Sequence, residues 1–92
     1  MQYLLFTGSN CPACHRMREN MIKAGMDRIE IDTDTIPGRD LAKQYHVMSK
    51  PTLAVIKMEN GFAHTINTYI GSYPVEKLKE IMKEFSISEA LS

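Results

Sequence analysis

The chain has 92 residues, of which 43% are hydrophobic and 24% are charged, a composition typical of a folded globular domain rather than a disordered segment. Eleven Lys and Arg residues balance eleven Asp and Glu residues, so the net charge indicates neither a nucleic-acid partner nor a membrane-surface partner. No apolar run approaches the ~18 residues of a membrane span. We therefore expect a single domain over residues 1–92 with one modest core.

The first quarter of the chain predicts a strand followed by a helix. Residues 2–6 are mostly aromatic and aliphatic and predict a buried strand. After a turn, either Ser9 or Asn10 is expected to cap a helix that begins near Pro12, and Gly25 fits the end of that helix. Apolar side chains recur along it at helical spacing, at Cys14, Met17, Met21 and Ile22.

The middle of the chain predicts a second strand, a short helix and a third strand. Residues 28–32 alternate polar and apolar side chains, a pattern typical of a strand. The connector that follows leads to a short helix with Leu41, Ala42 and Tyr45 on one side. Residues 52–58, directly after Pro51, are mostly apolar and predict the third strand.

The last third of the chain predicts a hairpin and a final helix. Asn60-Gly61 is a strong indication of a tight hairpin turn, so residues 62–70 are expected to run antiparallel to the third strand. Pro74 suits the first turn of a helix whose apolar stripe is Val75, Leu78, Ile81, Met82 and Phe85. Residues 86–92 are expected to form a frayed tail.

The predicted order β-α-β-α-β-β-α defines an α/β fold. Strands separated by helices are expected to pair in parallel through right-handed crossovers, and the hairpin adds an antiparallel edge. The result is a four-stranded mixed sheet with helices on both faces.

The motif that indicates function is Cys11-Pro12-Ala13-Cys14, which holds both cysteines of the chain. It lies where the first strand gives way to a helix, a position that favours thiol–disulfide chemistry. A bond between Cys11 and Cys14 closes too small a loop to act mainly as a structural staple. Because the N-terminus shows no secretory leader, we expect a cytoplasmic protein whose cysteines are catalytic or bind metal.

Two segments of the chain resemble the thioredoxin fold in its shortest form. Cys11-Pro12-Ala13-Cys14 resembles the active-site motif of that family, and Ser49-Lys50-Pro51-Thr52-Leu53 resembles its cis-proline segment. The resemblance covers roughly residues 2–85. It implies a cis Pro51 facing the cysteines, supporting roles for Pro12 and Ala13, and a substrate-binding surface that includes Lys50, Thr52 and Gly71.

The same resemblance implies how the two cysteines divide the reaction. At a helix N-terminus, unpaired N–H groups and the helix dipole favour an anion, so Cys11 is expected to be the attacking thiolate and Cys14 the resolving thiol. His15, Arg16, Arg18 and Lys50 are candidates for additional positive potential near Cys11. Leu5 stands where thioredoxins keep a buried aspartate. Water, Lys57 and Cys11 itself remain the candidates for accepting the proton of Cys14.

The subtype within the superfamily is left between two alternatives. Ala42-x-x-Tyr45-x-Val47-x-Ser49-x-Pro51-Thr52 resembles thioredoxins, whereas the short N-terminus and Cys-Pro-x-Cys resemble glutaredoxins. We expect a monomeric protein-disulfide reductase that needs no cofactor beyond the Cys11–Cys14 disulfide. Its electrons would come from thioredoxin reductase, or from glutathione in the glutaredoxin alternative, and ribonucleotide reductase is a candidate client.

Two readings outside thiol–disulfide exchange use the same cysteines. Cys11-Pro12-Ala13-Cys14-His15 also matches the haem-attachment pattern, but the strand-rich chain opposes a helical haem protein. Structural zinc takes four ligands, and beyond the cysteines the chain offers only His15, His46 and His64. A metal or an Fe–S cluster shared between two subunits is therefore one alternative outside the class, and a binding module without redox activity is another. No bound metal is expected.

Overall fold

The computed structural model describes the backbone of residues 1–91 and the side chains of residues 1–86. Its elements are β1 (Gln2–Thr7), α1 (Pro12–Ala24), β2 (Ile29–Asp32), α2 (Ile36–Gln44), β3 (Thr52–Glu59), β4 (Phe62–Ile70) and α3 (Val75–Leu91). The order β-α-β-α-β-β-α is the one predicted. Helix α3 runs to Leu91, through residues expected to form a tail, and Ser92 lies outside the described residues.

The four strands form one mixed sheet in the order β2-β1-β3-β4. β1 and β2 are parallel, as predicted for strands joined by a helix. β3 is antiparallel to β1, so the expectation of parallel pairing across α2 was wrong. The physical reason is where the chain returns: α2, about 13 Å long, delivers Thr52 beside Phe6 near the end of β1, and β3 has to run back from there.

Helices cover both faces of the sheet, as predicted, and each face has its own apolar cluster. Alternate residues of β1 point to opposite faces, so Leu5 belongs to one cluster while Leu4 and Phe6 belong to the other. The first cluster lies under α1 and α3 and comprises Leu5, Met17, Met21, Met26, Leu53, Val55, Leu78, Ile81 and Phe85. The second lies under α2 and comprises Leu4, Phe6, Ile31, Ala42, Ala54 and Ile56.

The hairpin between β3 and β4 forms at the predicted Asn-Gly turn. Asn60 and Gly61 have φ of 53° and 80°, the left-handed conformation that a two-residue hairpin turn needs. The turn therefore lies at one end of the sheet. Pro51 precedes β3 at the other end, where β1 leads into the cysteine motif.

Candidate active site

Cys11 and Cys14 form a disulfide at the start of α1. Cys11 directly precedes the helix, and Cys14 lies in its first turn on the buried stripe that continues with Met17 and Met21. The residue of Cys11 is 7% exposed, whereas Cys14 is only 1% exposed. Cys11 is therefore the less buried residue of the pair, and this order of burial agrees with the expected attacking role of Cys11 and resolving role of Cys14.

The sulfur of Cys11 caps the helix that carries it. Cys11 is the N-cap residue of α1, and its Sγ accepts the backbone N–H of Cys14 at 3.2 Å. The expectation that Ser9 or Asn10 caps the helix was wrong, because Pro12 occupies a first helical position and leaves the capping place to Cys11. Donors at a helix N-terminus stabilise an anion, so they favour the thiolate once the disulfide is reduced.

The segment around Pro51 is tied to the loop that follows β4. The Lys50–Pro51 peptide bond is cis, as the resemblance implies. The carbonyl of Pro51 accepts the N–H of Gly71 at 2.8 Å, and the Thr52 hydroxyl donates to the carbonyl of Ser49 at 2.8 Å. The predicted residues Pro51, Thr52 and Gly71 are thus brought together. The Gly71 N–H and the Thr52 hydroxyl both bond within the protein, and their binding of a substrate stays a prediction.

Asp34 connects the loop before Cys11 to the residue before Pro51. Its Oδ2 accepts the backbone N–H of Ser9 at 2.6 Å, and its Oδ1 lies 4.0 Å from Nζ of Lys50. Hydrogen bonds from Ser9 are the main cause that lowers the pKa of Asp34, and the charges of Lys50 and Arg39 lower it further. We call Ser9, Asp34 and Lys50 the Asp34 clasp.

The Asp34 clasp was not found from the sequence. Neither of the two short motifs at the site contains Asp34 or Ser9. Ser9 lies 25 residues away from Asp34 along the chain. The available indication was topological, since residues that follow the neighbouring parallel strands β1 and β2 meet at one edge of the sheet.

Two further cations predicted near Cys11 are Arg16 and Arg18, both on α1. Arg18 Nε donates to Glu30 at 2.6 Å, and Arg18 also lies 3.1 Å from a ring nitrogen of His15. The charge of Arg18 is thus paired with Glu30 on β2, and its contribution to the potential at Cys11 stays a prediction. Arg16 is exposed on α1.

Lys57 is placed too far away to receive the proton of Cys14. It follows Ile56, which pairs with Gln2 at the start of β1, so it lies at the opposite end of the sheet from the cysteines. Leu5, in the place expected for an aspartate, is fully buried in the apolar cluster beneath α1. Water and Cys11 therefore remain as acceptors of that proton.

The loop between β4 and α3 is held against the side of α1. The side-chain amide of Asn20 donates to the Tyr73 carbonyl at 2.9 Å, and the Tyr73 N–H lies 3.4 Å from the sulfur of Met17. Tyr73 also stacks edge-on against Tyr69, with 5.6 Å between ring centroids. Since Gly71 in this loop bonds to Pro51, these contacts link α1 to the cis-proline segment.

In the part of the chain that the structure describes, no group of three or more His, Cys, Asp or Glu side chains is placed to hold a metal ion. Of the three histidines, His15 lies beside Arg18, His46 follows α2, and His64 lies on β4. Among the same described residues, no helix combines the length and the apolar character needed to cross a membrane.

Comparison with solved structures shows that the chain has the thioredoxin fold. A thioredoxin from Thermus thermophilus superposes with a TM-score of 0.74 at 20% identity, over 92% of this chain and 72% of that one. Trichomonas vaginalis thioredoxin gives a TM-score of 0.73 at 23% identity, over 90% of this chain and 77% of that one. Aeropyrum pernix thioredoxin gives 0.68 at 21% identity, over 91% and 73%. No protein-family model and no curated protein matches the chain.

Proposed function

We propose that the protein is a thiol–disulfide oxidoreductase that reduces disulfides in other proteins. The observation that carries the proposal is a disulfide in which the sulfur of the less buried residue, Cys11, caps a helix, while Cys14 is fully buried in the first turn of that helix. The fold supports it. A disulfide with a purely structural role would have no need of a sulfur at an anion-stabilising position.

The reaction follows from this asymmetry. In the reduced protein, the Cys11 thiolate attacks one sulfur of a client disulfide, so a Cys11–client bond forms and the client S–S bond breaks. Cys14, after losing its proton to water, attacks Cys11 Sγ, so the Cys11–Cys14 bond forms, the Cys11–client bond breaks and the remaining client sulfur leaves as a thiolate. The two protein sulfurs have become one disulfide, two electrons have passed to the client, and the two client thiolates take up protons from water.

Two features favour a thioredoxin-type electron supply over glutathione. The superposed structures include thioredoxins from several organisms. Gly71 is not followed by the second glycine and the aspartate with which glutaredoxins hold the carboxylate of the tripeptide. A thioredoxin reductase is therefore the proposed electron source. Ribonucleotide reductase as a client, a monomeric state and a cytoplasmic location stay predictions.

Matched cysteine variants test the proposal. Cys11→Ser should reduce turnover of insulin disulfides to the background rate, because no attacking thiolate remains. Cys14→Ser should also lose turnover but should accumulate a mixed disulfide between Cys11 and the client, seen as a mass increase on non-reducing analysis. Full turnover by Cys11→Ser would contradict the proposal.

The electron source is tested in the same assay. NADPH with thioredoxin reductase is compared with NADPH, glutathione and glutathione reductase at equal protein concentration. We expect turnover with the first supply and a much lower rate with the second. The reverse result would make the protein a glutathione-dependent enzyme and would leave the cysteine chemistry intact.

A further inference from the structure

A basic cavity lies beside the cis-proline segment, between that segment and α2. It encloses about 290 Å³. Arg39 and Lys43 of α2 line it together with Lys50, Thr33 and Ser49. The chain as a whole carries equal numbers of acidic and basic residues, yet no acidic side chain lines this cavity.

The cations of this cavity are little neutralised by their neighbours. Lys50 lies 4.0 Å from Asp34, a long and exposed pair. Within residues 1–86, neither Arg39 nor Lys43 has an acidic group at salt-bridge distance, in contrast to Arg18, whose guanidinium bonds directly to Glu30. Three cations with one acidic neighbour leave a local positive potential next to Pro51.

The position of the cavity suits contact with a bound client segment and not with the two cysteines. Lys50 contributes to it and directly precedes Pro51, while the Lys50 side chain also contacts the loop at Gly8, three residues before Cys11. Met48, on the rim, is 94% exposed and offers an apolar contact. A client segment that crosses from Cys11 over the cis-proline segment therefore passes onto the basic cavity.

We propose that this cavity binds the carboxylate of an acidic residue near the client cysteine, so that the protein prefers disulfides flanked by Glu or Asp. Arg39 and Lys43 would be the residues that set this preference, acting on binding and not on the sulfur chemistry. The inference rests on the proposed function. Charge complementarity of this kind acts on the rate of association and weakens as salt is added.

The test uses two disulfide-linked peptide dimers that differ only in having Glu or Gln on either side of the cysteine. The reduced protein is mixed with each dimer in a single turnover, so that no reductase is needed. Each second-order rate constant is divided by that for dithiothreitol, which corrects for the intrinsic reactivity of the two disulfides. We expect the corrected Glu/Gln ratio to be about threefold to tenfold at low salt and to approach one at high salt.

The decisive variant is Arg39→Gln combined with Lys43→Gln, in which the Glu/Gln ratio should fall close to one. Lys23→Gln combined with Lys83→Gln removes the same charge from exposed positions on α1 and α3 and should keep the wild-type ratio. Both cavity residues are also exposed, and circular dichroism would confirm that each pair of substitutions leaves the fold intact.

Other outcomes would overturn the inference in distinguishable ways. Equal rates for the two peptides with the wild type, or an equal loss of preference in both double variants, would overturn the acidic-client preference alone. Failure to reduce either peptide would overturn the proposed function as well. If the cavity variant instead slows only the reduction of glutathione disulfide, the cavity binds that tripeptide and not a protein segment.

Discussion

The two cysteines are held by different kinds of interaction, although they lie in one turn of one helix. Cys14 shares the buried stripe of α1 with Met17 and Met21, above an apolar cluster. The loop before Cys11 is held by the Asp34 clasp, which is exposed and built from charges and one short hydrogen bond. Apolar packing depends little on pH or salt, whereas exposed charges depend on both.

This difference suggests a division of tasks within the site. The resolving sulfur is kept in place by burial, which any condition that preserves the fold also preserves. The position of the loop before Cys11 depends on pH and salt, because the exposed charges of the Asp34 clasp join this loop to the residue before Pro51. Substitutions in the buried stripe and in the Asp34 clasp should therefore change the free energy of unfolding by different amounts and with a different dependence on pH.

The largest change in the free energy of unfolding is expected from a substitution in the buried stripe of α1. Met17→Ala removes a fully buried side chain that also lies against the N–H of Tyr73, and it should lower the free energy of unfolding by about 2–5 kcal/mol. Urea unfolding of the oxidised protein would measure this loss. Ile22→Ala, on the same helix but 58% exposed, is the control and should change stability by only about 0.5 kcal/mol. Equal losses would contradict the contrast.

A smaller, pH-dependent effect is expected from Asp34→Asn. The lowered pKa of Asp34 means that its carboxylate stabilises the folded protein above the ordinary pKa of 3.8 and that this contribution is lost as the pH falls through the lowered value. The wild type should thus be more stable than the variant near neutral pH, and the difference should shrink below pH 3.8. Urea unfolding of both proteins across this range would measure it.

Asp40→Asn on α2 is the matched control for Asp34→Asn. It removes the same charge from an exposed aspartate that takes no part in the clasp. A pH-dependent difference of the same size in this variant would show that net charge, and not the Ser9 hydrogen bond, causes the effect.

The smallest effect is expected from Gly8→Ala. An added Cβ at this position would fall on the flexible end of the Lys50 side chain and displace it, with little cost to stability. Without the Lys50 charge nearby, the pKa of Asp34 should rise slightly towards its ordinary value, as followed by NMR titration of the carboxyl carbon. Lys50→Gln should give a rise in the same direction. An unchanged titration in Gly8→Ala would place Lys50 outside the clasp.

Much of the fold could be predicted because the relevant patterns are local. The Asn60-Gly61 turn, the stop at Gly25 and the apolar stripes each lie within a few residues, and the structure contains them, except that Ile22, predicted on the stripe of α1, is exposed. The direction of β3 was predicted wrongly, because no local pattern says at which end of β1 the chain returns after α2. The direction of β3 is set by the pairing of its first residue, Thr52, with Phe6 near the end of β1.

The site was predictable to a similar degree and failed for similar reasons. Cys11, Cys14 and Pro51 were found because they lie in two short motifs. The helix cap was assigned to the usual polar residues, and the capping place left by Pro12 was overlooked. Asp34 and the basic cavity depend on loops brought together by the sheet, and such neighbours are visible only once the topology is known.

Because the sulfur of Cys11 caps α1, the reduction potential of the disulfide is coupled to the stability of that helix. In the oxidised form Cys11 Sγ is a neutral cap for the Cys14 N–H, whereas the thiolate of the reduced form would be an anionic and stronger one. A thermodynamic cycle then equates any difference in folding stability between the two forms with a change of reduction potential, about 30 mV for each 1.4 kcal/mol. Substitutions in the first turn of α1 would therefore change the reduction potential without altering either cysteine.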